Sequence, residues 1–140
     1  MATKKKTDEA PQTAYNYAVG RRKRASARSK YYPGVLPLVV NVNKKPIADY
    51  FPDFFAKTIL NAIANIGITT GQFDLFVNGG GNTGQAEACR LAIGKSVLKS
   101  DENLRPILRL HGYLSTDIRK VLPKRSGLRK NRKREQWSKR

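Results

Sequence analysis

Three groupings in this sequence have residue types and spacings that chemistry requires. The first, Gly79-Gly80-Gly81-Asn82-Thr83-Gly84, has the G-x-G-x-x-G spacing with which a tight turn brings backbone N–H groups to a pyrophosphate at a helix start. It follows an alternating apolar stretch and opens a helical pattern, as a dinucleotide site demands. Such a site also needs a second parallel strand after that helix, with an acid at its end. Lys99 is followed instead by another helical pattern with Asp101 and Glu102 at its start, and the dinucleotide reading fails. What survives is physical: glycines admit close approach by another backbone, and free N–H groups at a helix start favour a phosphate, RNA's included. A tight strand-to-helix turn with no ligand would use the same residues. Gly94-Lys95-Ser96 has the ending of a P-loop, but the preceding glycine would stand at position 89, where the residue is Cys89. The third grouping is Cys89 with His111, the only residues of their kinds and so the one pair available for thiolate–imidazole chemistry. Both fall at apolar helix spacing and read as a core cysteine and a boundary histidine. One Cys and one His also leave no His or Cys metal site, and the acids are scattered. No enzyme, metal or cofactor is expected.

The basic residues offer a different chemistry. The chain has 28 Lys and Arg against 10 Asp and Glu, a formal net charge of +18 over 140 residues, which points to a polyanionic partner. Residues 1–33 hold 9 basic and 2 acidic side chains, residues 34–112 hold 8 and 6, and residues 113–140 hold 11 and 2. The excess sits at the two ends. Arg21, Arg22, Lys23, Arg24, Arg28 and Lys30 are interleaved with Tyr15, Tyr17, Tyr31 and Tyr32. Guanidinium groups that grip phosphate, beside rings that stack on bases, suit an irregular RNA surface, although the tyrosines equally fit the core of a strand. In the carboxy-terminal segment Arg119, Lys120, Lys124, Arg125, Arg129, Lys130, Arg132, Lys133, Arg134, Lys139 and Arg140 follow one another with few aliphatics after Pro123. Such a segment can thread between phosphates that a globular surface cannot reach.

The elements that must position these groups follow from periodicity. Residues 15–32 read as one extended stretch with a bend at Gly20, and Pro33-Gly34 as a turn; Leu38, Val40 and Val42 alternate as a second strand. Asp49 or Asp53 is placed to cap a helix burying Phe55, Ile59, Ala62, Ile63 and Ile66, and Gly67 stands at its end. Phe73, Leu75 and Val77 alternate as a strand. A helix over about 84–99 presents Cys89, Ala92, Ile93, Ser96 and Val97, and a short one over 102–111 points Leu104, Ile107 and Leu108 inward. The order predicts an α+β fold of two layers, a small mixed sheet with helices on one face. It divides the chain into a disordered extension (1–14), a globular domain (15–112) and an extended basic tail (113–140). The longest apolar stretch, Val35 to Val40, is six residues and contains Pro37, against the ~20 needed to span a bilayer. The amino terminus lacks the pattern of a secretory or mitochondrial leader. With one cysteine, the chain is expected in a reducing cytoplasm, without membrane or small-molecule partners.

Several segments must be taken together: Gly20-Arg21-Arg22-Lys23 with Ala27-Arg28, Asp49-Tyr50-Phe51, Gly79-Gly80-Gly81 with Gly84-Gln85-Ala86 and Arg90, Asp101 with Leu104-Arg105, Asp117 with Arg119-Lys120, Lys124 and Gly127 with Lys130, and the ending Gln136-Trp137-Ser138-Lys139-Arg140. Their order and spacing carry a resemblance to one family, the universal small-subunit ribosomal protein number nine in its bacterial form. It implies a two-layer fold with a left-handed crossover, a ribosome-bound place in the small-subunit head beside neighbouring head proteins, and binding to the 3′ major domain of 16S-type ribosomal RNA. It also implies that Ser138, Lys139 and Arg140 touch the anticodon stem-loop of P-site transfer RNA, with Arg140 the main phosphate partner. Two rival readings come from other classes: a histone-like, non-specific DNA-binding protein, and a nucleotide-dependent enzyme using the loop at Gly79 to Gly84.

Overall fold

The extended stretch at 15–32 is two strands rather than one. In the computed structural model, which describes residues 14–139, β1 (Asn16–Arg22) and β2 (Ala25–Tyr32) form an antiparallel hairpin, with Arg22 opposite Ala25 and Asn16 opposite Tyr31. The reversal falls on Lys23-Arg24, and Lys23 takes a left-handed φ of 54°. Hairpin turns announce themselves through Gly, Asn or Asp at such positions, and a lysine gives no signal. Of the extension expected at 1–14, residues 1–13 lie outside the described residues.

The chain continues through β3 (Val39–Val42), a two-residue β4 (Lys45–Pro46), a single turn α1 (Ile47–Tyr50), α2 (Asp53–Ile66), β5 (Gln72–Asn78) and α3 (Asn82–Ser100). A 3₁₀ turn at Glu102–Leu104 then leads into α4 (Arg105–Leu110). The hairpin, β4 and α1 are additions to the expected order. The sheet runs β1-β2-β5-β3-β4. β5 is antiparallel to β2 and parallel to β3, so β3 reaches β5 by a crossover through α2. The sheet is mixed, as expected.

Alternation decides which face is covered. Ala18 and Gly20 on β1, Ala25, Ala27, Ser29 and Tyr31 on β2, Val40 and Val42 on β3, and Phe73, Leu75 and Val77 on β5 are buried on one face. α3 lies across β1 and β2, and α2 packs beside α3. The buried stripe of α2 is Ala56, Ile59, Ala62, Ile63 and Ile66, with Phe55, expected in it, only half-buried at the edge of the core; each fully buried isoleucine contributes roughly 1.5–3 kcal/mol. Gly67 ends that helix at φ 82°, the left-handed position a Cβ disfavours. The start differs from expectation, because Pro52 precedes the first turn and neither Asp49 nor Asp53 caps it through a side chain. Asp53 instead stands in the first turn, where its negative charge complements the positive end of the helix dipole.

Gly20 is not a bend. It lies within β1, where a Cβ would sit 2.1 Å from the Ala88 carbonyl oxygen and 2.7 Å from the Ala92 nitrogen, so it is the point at which α3 backbone meets strand backbone. One polar contact crosses the same layer. The Ser29 and Ser96 hydroxyls, both fully buried, are 3.2 Å apart, and Ser96 also donates to the Ile93 carbonyl at 2.9 Å.

α4 departs from its expected inward face. Leu108 is fully buried and Leu104 packs against the core, but Ile107 is 40% exposed and Leu110 lies in solvent. A six-residue helix has room for only one deeply seated side chain. Past it, Tyr113 is buried: its N–H donates to the Leu108 carbonyl at 2.9 Å, and its hydroxyl accepts from Asn65 Nδ2 at 3.0 Å. No helix among the described residues is long and apolar enough to cross a membrane.

Candidate nucleic-acid interface

The hairpin turn rests on the glycine loop. Gly79 and Gly80 have φ of 72° and 65°. A Cβ on Gly79 would lie 2.8 Å from the Arg24 carbonyl oxygen, and one on Gly80 would lie 2.9 Å from the Ala25 Cβ. These two glycines are thus required by the protein's own backbone, and a substitution at Gly80 would report on the turn rather than on an approaching phosphate. Gln85 fastens the loop by donating from Nε2 to the Gly79 carbonyl at 3.1 Å while accepting from the Tyr50 hydroxyl at 3.2 Å. Gly81 is different. It precedes α3 in extended conformation, and a Cβ there would meet nothing within 4 Å.

The start of the tail docks on the same end of the molecule through Asp117. Its carboxylate accepts from the Arg119 backbone N–H at 2.9 Å and from the Arg119 guanidinium at 2.7 to 3.1 Å, and it pairs with Arg22 Nη2 at 3.2 Å. Arg22 also pairs with Glu87 on α3 through Nε and donates from Nη1 to the Arg119 carbonyl at 3.1 Å. The Arg22 side chain is only 15% exposed, against 83% for Arg119. Arg22 therefore serves the fold, tying β1 to α3 and to the tail, while one side of Arg119 stays open to solvent. The hydrogen bonds from Arg119, followed by its charge and that of Arg22, hold the Asp117 carboxyl down at about 2. A carboxylate depressed in this way contributes stability above its unfolded value, near 4, and loses it as pH falls through the folded value. Carboxyl NMR of the intact chain is accordingly expected to show Asp117 titrating about two units below an ordinary aspartate. A midpoint near 4 would mean that the clasp is open in solution.

A cleft of about 350 Å³ between turn and tail is lined by Arg21, Arg22, Lys23, Thr116, Asp117, Ile118 and Lys120. Around it Arg21, Lys23, Arg24 and Lys120 are exposed, and among the described residues none of the four has an ion-pair partner. The structure thus brings together Arg21–Arg24, Gly79–Gly81, Arg119 and Lys120. Arg28 stands apart, halfway along β2. Lys124, Arg125, Arg129, Lys130, Arg132, Lys133 and Arg134 are exposed along the tail, which turns back on itself where the Arg129 N–H donates to the Lys133 carbonyl at 2.8 Å and Asn131 donates to the Pro123 carbonyl at 3.1 Å. Ser138 and Lys139 lie on its exposed last stretch, and Arg140 lies outside the described residues. Sequence reasoning missed Glu87 as an anchor, since nothing local links it to an arginine 65 positions away.

The rival chemistry finds no geometry. Cys89 is fully buried and its thiol is pushed up to about 12 by that burial, whereas His111 is exposed and stacks on Tyr113 at 5.5 Å. No strand follows α3 among the described residues, so the glycine loop lacks the second half of a dinucleotide site.

A family model described as ribosomal protein S9/S16 matches residues 20–140. The chain belongs to that family. Consistent with this, the small ribosomal subunit protein uS9 of Maridesulfovibrio salexigens is 41% identical over 128 residues, which cover 90% of this chain and 97% of that protein. Ribosomal protein S9/S16 is a structural, non-enzymatic family, in keeping with the lack of a catalytic constellation in the sequence. The match takes in every residue of the basic end just described, from the hairpin turn to the tail.

Proposed function

We propose that this S9/S16-family chain is a structural component of the small ribosomal subunit head, bound in the cytoplasm to the 3′ major domain of 16S-type RNA and to neighbouring head proteins. One observation carries the reading. The unpaired cations of the hairpin turn and of the tail's root gather at one end of a well-packed body, beside the glycine loop, and the basic tail leaves from that same end. Phosphates supply the counter-charge those cations lack. In this reading Arg21, Lys23, Arg24, Gly81, Arg119 and Lys120 meet RNA where the body ends, Arg28 meets it on the sheet, and Lys124 to Arg134 follow RNA inward as residues 113–140 extend. The crossover from β3 to β5 takes the left-handed form that the resemblance implies. A histone-like role has no supporting observation beyond charge.

The end of the tail, Ser138-Lys139-Arg140, is assigned to the anticodon stem-loop of P-site transfer RNA. Subunits carrying a chain that lacks these three residues are expected to assemble, because nine other basic residues remain between 113 and 137. Their affinity for P-site transfer RNA should fall by about 1–3 kcal/mol, as one or two charge-assisted phosphate bonds are lost. Filter binding at fixed salt measures it. Unchanged affinity would remove the transfer RNA role, and failure of the intact chain to sediment with small subunits would remove the whole reading.

A further inference from the structure

The face of the sheet opposite the helices is covered by no element among the described residues. The strand register sets Tyr17, Lys30 and Asp74 side by side across β1, β2 and β5, with Val19, Arg28 and Phe76 in the next row on the same face. Tyr15 lies over this surface, its ring centroid 5.6 Å from that of Tyr32 and tilted by 53°. The Lys30 ammonium stands 4.8 Å from the centroid of Tyr15 and 5.8 Å from that of Phe76. Tyr15 and Tyr17 are 46% and 42% exposed, although a sheet face that only needed to meet water would carry polar side chains.

Its charges are not balanced internally. The Asp74 carboxylate accepts from Asn41 Nδ2 at 3.1 Å and from Gln72 Nε2 at 3.1 and 3.2 Å; it keeps its charge but forms no ion pair among the described residues, so two cations stand on this face against one anion that pairs with neither. Arg28 and Lys30 have no ion-pair partner among the described residues. A protein laid over this face would have to bury two unpaired cations, at a steep desolvation cost. Nucleic acid brings a phosphate for each cation and a base for each ring.

We propose that this open face is a second RNA surface, on which unpaired bases stack against Tyr15, Tyr17 and Tyr32 while Arg28 and Lys30 hold the adjoining phosphates. The proposal rests on the ribosomal reading and deepens it by naming single-stranded RNA as what the sheet takes. Strand rise puts Tyr32 roughly 25 Å from the hairpin turn, so the two surfaces engage different nucleotides.

The test is binding of the full chain to small-subunit ribosomal RNA over a range of salt. Tyr17→Ser with Tyr32→Ser is expected to lower affinity about tenfold or more, as stacking energies for one or two bases imply. The slope against log salt should not change, because rings release no counterions. Arg28→Gln with Lys30→Gln is expected to lower that slope by roughly 0.7–0.9 per charge. Tyr17→Phe with Tyr32→Phe should bind as the parent does, since rings are kept, and circular dichroism should show all three variants folded. Ultraviolet irradiation of the complex should leave nucleotide adducts on Tyr15, Tyr17 or Tyr32. Parental affinity of the serine variant at every salt would overturn the proposal, as would a photocrosslinker at position 17 or 32 that captures a protein instead of RNA. If deleting the tail weakens RNA binding while the serine variant does not, only this surface is refuted; if the intact chain does not bind the RNA, the ribosomal reading falls with it.

Discussion

Gly20→Ala is expected to destabilise the chain by about 3 kcal/mol or more, at the upper end of what overpacking costs. The added carbon would lie 2.1 Å from the Ala88 carbonyl oxygen and 2.7 Å from the Ala92 nitrogen. Both are backbone atoms in the middle of a 19-residue helix, so no side chain can rotate away and the helix itself must lift. Lifting it opens the contact with Ala18, Ala27 and Ser29 along the buried layer. Gly81→Ala serves as the control, since a Cβ at that position meets nothing within 4 Å; its effect should stay below about 0.5–1 kcal/mol, the range for a surface glycine. Urea denaturation of the two variants measures the difference. Equal midpoints would mean that β1 and α3 do not approach as closely in solution.

Gly20 also shows where sequence reading stops. A glycine in a strand signals either a bend or close approach by another backbone, and choosing between them requires knowing that residues 88–92 lie across it. Elements with a strong period were legible: the alternation of β5, the long run of α3 and the α2 stripe from Ile59 to Ile66 stand where the apolar spacing puts them, whereas at the start of α2 Ala56 takes the buried place expected of Phe55. The reversal at Lys23-Arg24 was not, because a left-handed lysine leaves no mark in composition. Two-residue β4 and single-turn α1 are too short to establish a period. Of the interface, its charge and its two basic segments were visible, whereas their convergence depends on Asp117 reaching back to Arg22. That contact spans 95 positions and fixes which arginine is structural, a distinction that charge counting cannot make.

Deleting residues 124–140 is expected to have the largest effect on RNA binding. The segment carries nine basic residues and one acidic, and its basic side chains are exposed wherever the structure describes them. If six to nine of them meet phosphate, the slope of log affinity against log salt should shrink by roughly 4–8, and affinity near 50 mM salt should fall on the order of 10³-fold or more. The fold should hardly notice. Tyr113 and Asp117, which anchor the tail's root, remain in the shortened chain, and an exposed segment contributes little to the core. Titrating small-subunit ribosomal RNA at several salt concentrations gives the slope, and a thermal melt of the same samples gives the stability. An unchanged slope would move the RNA contacts entirely onto the body. Loss of the melt would mean that the tail helps hold the core.

The layer between hairpin and α3 is lined by small side chains: Ala18, Gly20, Ala25, Ala27 and Ser29 on the strands, Ala88, Ala92 and Ser96 on the helix. Surfaces this smooth interlock weakly, and one helical turn of sliding would exchange one alanine for another at little cost in packing. The two serines remove that freedom. They are the buried polar residues of the described chain, and a slide would keep Ser96 on the Ile93 carbonyl of its own helix but leave the Ser29 hydroxyl without its partner in an apolar layer, at about 1–3 kcal/mol. The pair works as an alignment pin, fixing α3 lengthwise along the strands. Since the start of α3 lies under the hairpin turn, and Glu87 holds Arg22 one turn further on, two hydroxyls in the dry interior set the spacing of cations at the wet end.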